Sequence, residues 1–178
     1  MDDLQIKILL EQALNILSQK DSWLLRNNLS EQSISHKLAE YIQKLFPDYD
    51  VDCEYNGDIE SPNDRKRIYV LRDDLKEIGL LKNEDENELE KEYTIRAVFP
   101  DIIIHKRGSN KNNLCIIEIK KSTSNVPVEY DYLKLRCYTS SDFDNNLKYQ
   151  LGVFIKAIAG EEHQQYILTY FKNGLEIK

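Results

Sequence analysis

Cysteine is scarce in this 178-residue chain: Cys53, Cys115 and Cys137 lie far apart, none sits in a CxxC pair, and no histidine stands at zinc-ligand spacing from any of them. A disulfide scaffold and a structural zinc site are excluded, and an odd count set in mostly apolar runs reads as reduced, packed thiols of a cytoplasmic protein. Glycine is equally sparse, six residues too scattered to form a GxxxxGK[ST] phosphate loop or a GxSxG nucleophile elbow. The three histidines, His36, His105 and His163, do not pair at metal spacing and read as surface or helix-packing residues. No apolar run approaches a membrane span, and Met1-Asp2-Asp3 is acidic where a signal peptide would be basic, so no membrane partner is expected. The single tryptophan, Trp23, is assigned to core or interface packing. Internal repeats and low-complexity tracts are absent.

Charge is present in excess of one sign, a formal net of −7. The excess is local, because Glu84 to Glu92 (EDENELEKE) alone carries −5 and leaves −2 for the rest. Basic residues gather elsewhere, at Arg65 to Arg67, Lys106, Arg107, Lys111, Lys120, Lys121, Lys134 and Arg136. That distribution is compatible with a basic groove for a nucleic acid.

The length suits one domain, 1–178, with a real core. Asp3 to Ser18 has a helical apolar period and, with a short helix or connector over 21–28, forms an N-terminal helical extension over 1–29. Ser30 is an N-cap for a helix running to about Phe46 with an inward stripe of Ile34, Leu38, Tyr41, Ile42 and Leu45; Pro47 ends it. Glu31 falls on the same side as that stripe. Val51 to Asn56 alternates as a half-buried strand. Residues 57–92 lack the sustained apolar pattern of their flanks and read as an acidic insertion, with turns at Asn56-Gly57-Asp58 and Ser61-Pro62-Asn63-Asp64, a brief strand at Ile68 to Leu71 and a short helix over 73–81. Tyr93 to His105 leads into a strand, Leu114 to Lys121 is the next, Glu129 to Tyr138 is a helix, and Tyr149 to Ala159 and Gln165 to Phe171 are further strands, the last followed by Asn173-Gly174. The expected class is α/β, a mixed α+β sheet.

The chemistry concentrates in Phe99 to Ser122. Two β-branched runs, Asp101 to His105 and Leu114 to Lys120, flank a polar loop and predict a β-hairpin. Its strands carry acids and a lysine where apolar residues belong: Asp101, Glu118 and Lys120. With the loop centred between residues 109 and 110, positions summing to 219 face each other, which sets Asp101 opposite Glu118. Opposed Cβ atoms are roughly 5 Å apart, so the two carboxylates repel unless a cation intervenes, and an oxygen-rich site favours Mg²⁺. His105 lies four residues along the strand, roughly 13 Å from Asp101, too far for a ligand of the same ion.

Pro100-Asp101, Glu118-Ile119-Lys120, the helix bearing Glu31 and the following helix together resemble the PD-(D/E)xK nuclease superfamily, over roughly Ser30 to Ala159. The resemblance implies a restriction-endonuclease-like core in the order helix-strand-strand-strand-helix-strand. It also implies a metal-dependent nuclease in which Asp101, Glu118 and the Ile119 backbone carbonyl ligate Mg²⁺ (or Mn²⁺). Lys120 then orients or activates the attacking water, and Glu31 completes the site or holds a second ion. Lys134, on the next helix, and Glu54, on the first strand, are within reach of the site, and Lys121, Lys134, Arg107 and Lys106 are candidates for phosphate contact. DNA is the expected partner, and a homodimer would let two sites cut two strands. Two other readings compete: a catalytically silent nuclease fold serving as a binding subunit in a defence, repair or mobile-element complex, and an α/β interaction domain with no link to nucleic acid.

Overall fold

Asp2 caps the first helix, α1 (Asp3–Lys20): its side chain accepts from the Gln5 amide, and its own amide donates to the Gln5 side-chain oxygen. Helix α2 (Ser22–Arg26) is short, and α3 (Glu31–Leu45) starts where Ser30 accepts from the Ser33 amide. The expected stripe of α3 is buried at Ile34, Leu38, Tyr41 and Ile42, with Leu45 partly covered. Of the two roles expected for Trp23, core packing is not the one it takes: it is 61% exposed, and Leu25 is the residue α2 gives to the core. A helix this short has one inward face, and Leu25 occupies it. The structure, a computed structural model, describes residues 1–58, 60, 65–81, 91–142, 144–160 and 166–178. The expected turn at Ser61 to Asp64, residues 84–90 of the acidic run, and His163 lie outside the described residues.

Six strands form the main sheet in the order β1-β4-β5-β6-β7-β8: β1 (Asp50–Cys53), β4 (Ile102–His105), β5 (Cys115–Lys121), β6 (Leu151–Ala157), β7 (Tyr166–Lys172) and β8 (Leu175–Ile177). The sheet is mixed and mostly antiparallel, with β5 and β6 its one parallel pair. The crossover between them contains helix α5 (Glu129–Thr139). Strand β5, CIIEIKK, is covered on both faces: Cys115 to Ile117 are continuously apolar, and Glu118 and Lys120 are buried charges beyond them. Cys115, Ile117 and Ile119 pack with α1 and α3, while Ile116 packs with Leu133, Leu135 and Tyr138 of α5. Strand β8 was not anticipated, though its turn was: Asn173 and Gly174 both have positive φ (51° and 77°), the requirement of a two-residue hairpin.

Between β1 and β4 lies a separate two-stranded sheet, β2 (Arg67–Leu71) and β3 (Tyr93–Ala97), with helix α4 (Arg72–Glu77) between its strands in sequence. Ile68, Val70 and Leu75 join the cluster on the α5 side. This corrects the expectation that residues from Tyr93 lead directly into β4 and that the insertion ends at 92. Tyr93 to Ala97 pair with β2 instead, held partly by the Tyr69–Tyr93 edge contact at 5.5 Å, and strand geometry resumes only at Ile102. Among the described residues, no helix is long and apolar enough to cross a membrane.

Candidate functional site

The hairpin forms in the expected register. Ile102 pairs with Ile117, Ile103 with Ile116 and Ile104 with Cys115, each pair summing to 219. Strand β4 therefore begins one residue after Asp101, while β5 continues to Lys121, so the last residues of β5 overhang the start of their neighbour. In an overhang the amides that would have met β4 need other acceptors. Two carboxylates supply them: Asp101 Oδ2 accepts from the Ile119 amide at 2.6 Å, and Glu31 Oε1 accepts from the Lys121 amide at 2.8 Å. The inward Glu31 thus ties the first turn of α3 to the strand end. A strand residue's N–H and C=O point to the same edge, so the Ile119 carbonyl also lies on the Asp101 side.

Glu118 and Lys120 project toward α5. Glu118, only 2% exposed, receives Lys134 Nζ at 2.7 Å on Oε2 and the Tyr138 hydroxyl at 3.3 Å on Oε1. Lys120 pairs with Asp131 and donates to the Pro127 carbonyl at 3.4 Å. Asp131 also holds Lys134 at 2.9 Å, so one acid on α5 bridges two lysines. Asp131 and Tyr138 are the members that sequence reasoning missed. Their signal was present: residues 131, 134 and 138 share one face of α5 through i, i+3 and i+7 spacing, and that face is polar where it meets the sheet.

The balance of charge is unequal. Among the described residues, the acids of the cluster, Asp101, Glu118 and Asp131, outnumber its lysines, Lys120 and Lys134, and Glu31 adds a further acid beside Asp101, so a largely buried cluster carries an excess of negative charge. Burial pushes the Asp101 carboxyl up to about 6, opposed by the Ile119 amide and Lys134. Burial likewise pushes Glu118 up to about 8, against the pull of Lys134 and with the added repulsion of Asp101. Burial disfavours the Lys134 ammonium, but Glu118 and Asp131 overcome it and hold its pKa above the usual lysine range.

On the other side of Asp101 a polar cleft of about 290 Å³ is lined by Glu31, Gln32, Ser35, His36, Cys53 and Glu54. Glu54, the first-strand acid expected near the site, is there: its amide donates to the Asp101 carbonyl at 3.2 Å, and its side chain accepts from Gln32 at 2.9 Å.

The expected phosphate-binding cations are mostly engaged. Lys134 is held by Glu118 and Asp131; Lys121 Nζ donates to the carbonyls of Asn28 and Leu29; Arg107 is paired with Asp52. Lys106 sits over the Tyr49 ring at 5.4 Å. His105 is buried, not on the surface, and its Nε2 meets Asp52 at 2.9 Å at the far end of β4.

Among the described residues no group of three or more His, Cys, Asp or Glu side chains is gathered as a metal cluster; the cation at Glu118 is the Lys134 ammonium. The donor chemistry nevertheless fits a hard divalent ion: carboxylates of Asp101 and Glu118, a carbonyl on the same edge, and an unbalanced negative charge that either a proton or a metal would neutralise. Comparison with protein-family models, with curated proteins and with solved structures returned no match.

Proposed function

We propose that the chain is a metal-dependent nuclease hydrolysing phosphodiester bonds, with DNA as the expected substrate. The observation that carries this reading is the hairpin register. It sets Asp101 opposite Glu118 at a strand overhang, with Lys120 two residues on and the Glu31 carboxylate bound to the same overhang. Support also comes from element order, since α3, β1, β4, β5, α5 and β6 follow the helix-strand-strand-strand-helix-strand sequence that a restriction-endonuclease-like core implies.

Asp101, Glu118 and the Ile119 carbonyl would hold the ion. When bound, Mg²⁺ supplies an acidified water and neutralises charge on the leaving oxygen. The chain's own groups then have separable roles. Lys120 is held by its ion pair with Asp131 and its hydrogen bond to the Pro127 carbonyl, which makes its ammonium a positioned cation for the attacking water or a phosphate oxygen. Tyr138 orients the Glu118 carboxyl through its hydroxyl, and Glu31 fixes the strand end on which Glu118 and Lys120 sit. A Mg²⁺ or Mn²⁺ nuclease assay on wild type, Asp101→Ala and Lys120→Ala tests the reading. Both variants are expected to lose at least about a hundredfold in rate, and equal cleavage by all three would overturn the assignment.

One observation favours a second reading. The Lys134 ammonium already occupies Glu118, which is how a nuclease fold that has given up its metal would neutralise the site. Such a protein would be a binding subunit without hydrolytic activity. Calorimetric titration with Mg²⁺ separates the two: heat of binding that vanishes in Asp101→Ala supports the nuclease, and no uptake by wild type supports the silent subunit.

A further inference from the structure

A cleft of about 480 Å³ opens between the two-stranded sheet with its helix α4 and the start of α5. Leu75 and Ile78 from the α4 region, Val126 from the loop after β5 and the ring of Tyr130 give it apolar walls. Lys120 and Asp131, buried members of the candidate site, are also part of its lining, so the cleft and the site share a wall. Its charged side chains are balanced, Lys120 and Arg96 against Glu129 and Asp131. A balanced, mostly apolar cleft suits a flat neutral ring better than a phosphate, which belongs beside the Lys120 ammonium.

The volume falls in the usual range of small-ligand sites, roughly 300 to 1,000 Å³, and admits a nucleoside-sized group. A nucleobase presents its flat face to an aromatic wall only when it is unpaired and unstacked; inside a continuous duplex that face is covered by its neighbours. Resting on the nuclease reading above, we propose that this cleft seats one unstacked nucleobase of the strand being cut. The substrate class is then nucleic acid that is unpaired at the cleavage position: single strands, flaps or gaps. The insertion between β1 and β4 gains a function by this assignment, because β3 and the α4 region form the wall opposite α5.

The test is equilibrium binding by fluorescence anisotropy with the full chain in Ca²⁺. The labelled ligands are a short single strand, its duplex, and the duplex interrupted by a short gap. Wild type is expected to bind the single strand and the gapped duplex about tenfold or more tighter than the continuous duplex. Ala97→Trp fills the cleft from an exposed position on β3, and Tyr130→Ala removes the stacking wall. Both should reduce the preference to within about twofold; Ala97→Trp should do so with duplex affinity and the unfolding midpoint in place, whereas Tyr130→Ala, whose ring packs against the core, should also lower the midpoint. Equal affinity of wild type for paired and unpaired ligands, or an undiminished preference in Ala97→Trp, overturns the cleft assignment alone. Failure of wild type to bind any of the three ligands overturns the nucleic-acid reading and this inference with it.

Discussion

Glu118 sits where burial and two neighbouring acids all favour its protonated form, and a pH dependence follows. Its carboxyl is raised from an ordinary 4.5 to about 8 in the folded protein, so the folded state holds a proton that the unfolded chain releases. The stability this proton contributes is fully present below about pH 4.5 and is lost as pH rises toward 8. Glu118→Gln cannot ionise, so urea midpoints of wild type relative to Glu118→Gln should fall steadily across that window; a rising difference would refute the shift. Lys134→Met is expected to cost about 3 kcal/mol at pH 8, where a buried Glu118 without its cation must either stay unpaired or take up a proton, and less at pH 5, where the acid already carries its proton. Paired urea titrations at the two pH values check this. At this scale much of the site was legible. Asp101, Glu118, Lys120 and Glu31 were visible because each breaks an apolar pattern with an ionisable group in a strand or helix whose buried face the periodicity defines. Asp131 and Tyr138 were not, because their partners are set by how α5 docks on the sheet, and a helix of mixed polarity does not announce which neighbour its polar face will meet.

Among the elements, the join between α3 and β5 is the most exposed to test. Glu31→Ala leaves the Lys121 amide without its carboxylate and should cost about 1–2 kcal/mol in chemical denaturation; Glu31→Gln keeps an acceptor and should stay within about 0.5 kcal/mol. If the charge of Glu31 serves the candidate site as well as the strand, both variants lose the proposed nuclease activity although only one loses stability. The packing of α5 on β6 depends on Gly152, where a Cβ would meet Phe171 Cβ and Thr139 Cγ2 at 3.2 Å and Leu135 Cδ2 at 3.3 Å. Gly152→Val should cost about 1–3 kcal/mol by unfolding measurements and lower the proposed activity through the displaced helix. Most elements could be read from periodicity and caps, as with Ser30 at the start of α3 and the apolar runs of β5 and β6. Strand β3 could not, because an alternating run says that a segment is extended without saying which strand it pairs with, and Tyr93 to Ala97 chose β2 over β4's extension. Strand β8 is three residues long, too short to carry a period of its own.

For the whole molecule, the net charge of −7 sets the terms of any encounter with a nucleic acid. With Arg107, Lys121 and Lys134, three of the four expected phosphate contacts, held by internal partners, the logarithmic salt slope of binding should be shallow, about −2 to −3, instead of the steep dependence of a basic DNA-binding protein. Anisotropy titrations over a range of salt measure it directly. The fold distributes tolerance to change unevenly, and the β5 overhang shows where. Its odd positions, Ile117 and Ile119, build the core with α1 and α3, while its even positions, Glu118 and Lys120, build the site. Core and site are alternate letters of a single word. An insertion at the tip of the polar loop, beside Gly108, leaves both faces of β5 in register, whereas one residue gained or lost within β5 sends Glu118 into the apolar layer and brings an isoleucine to Lys134. In descendants of this chain, loop length is thus free to drift, and the count of residues in β5 is not.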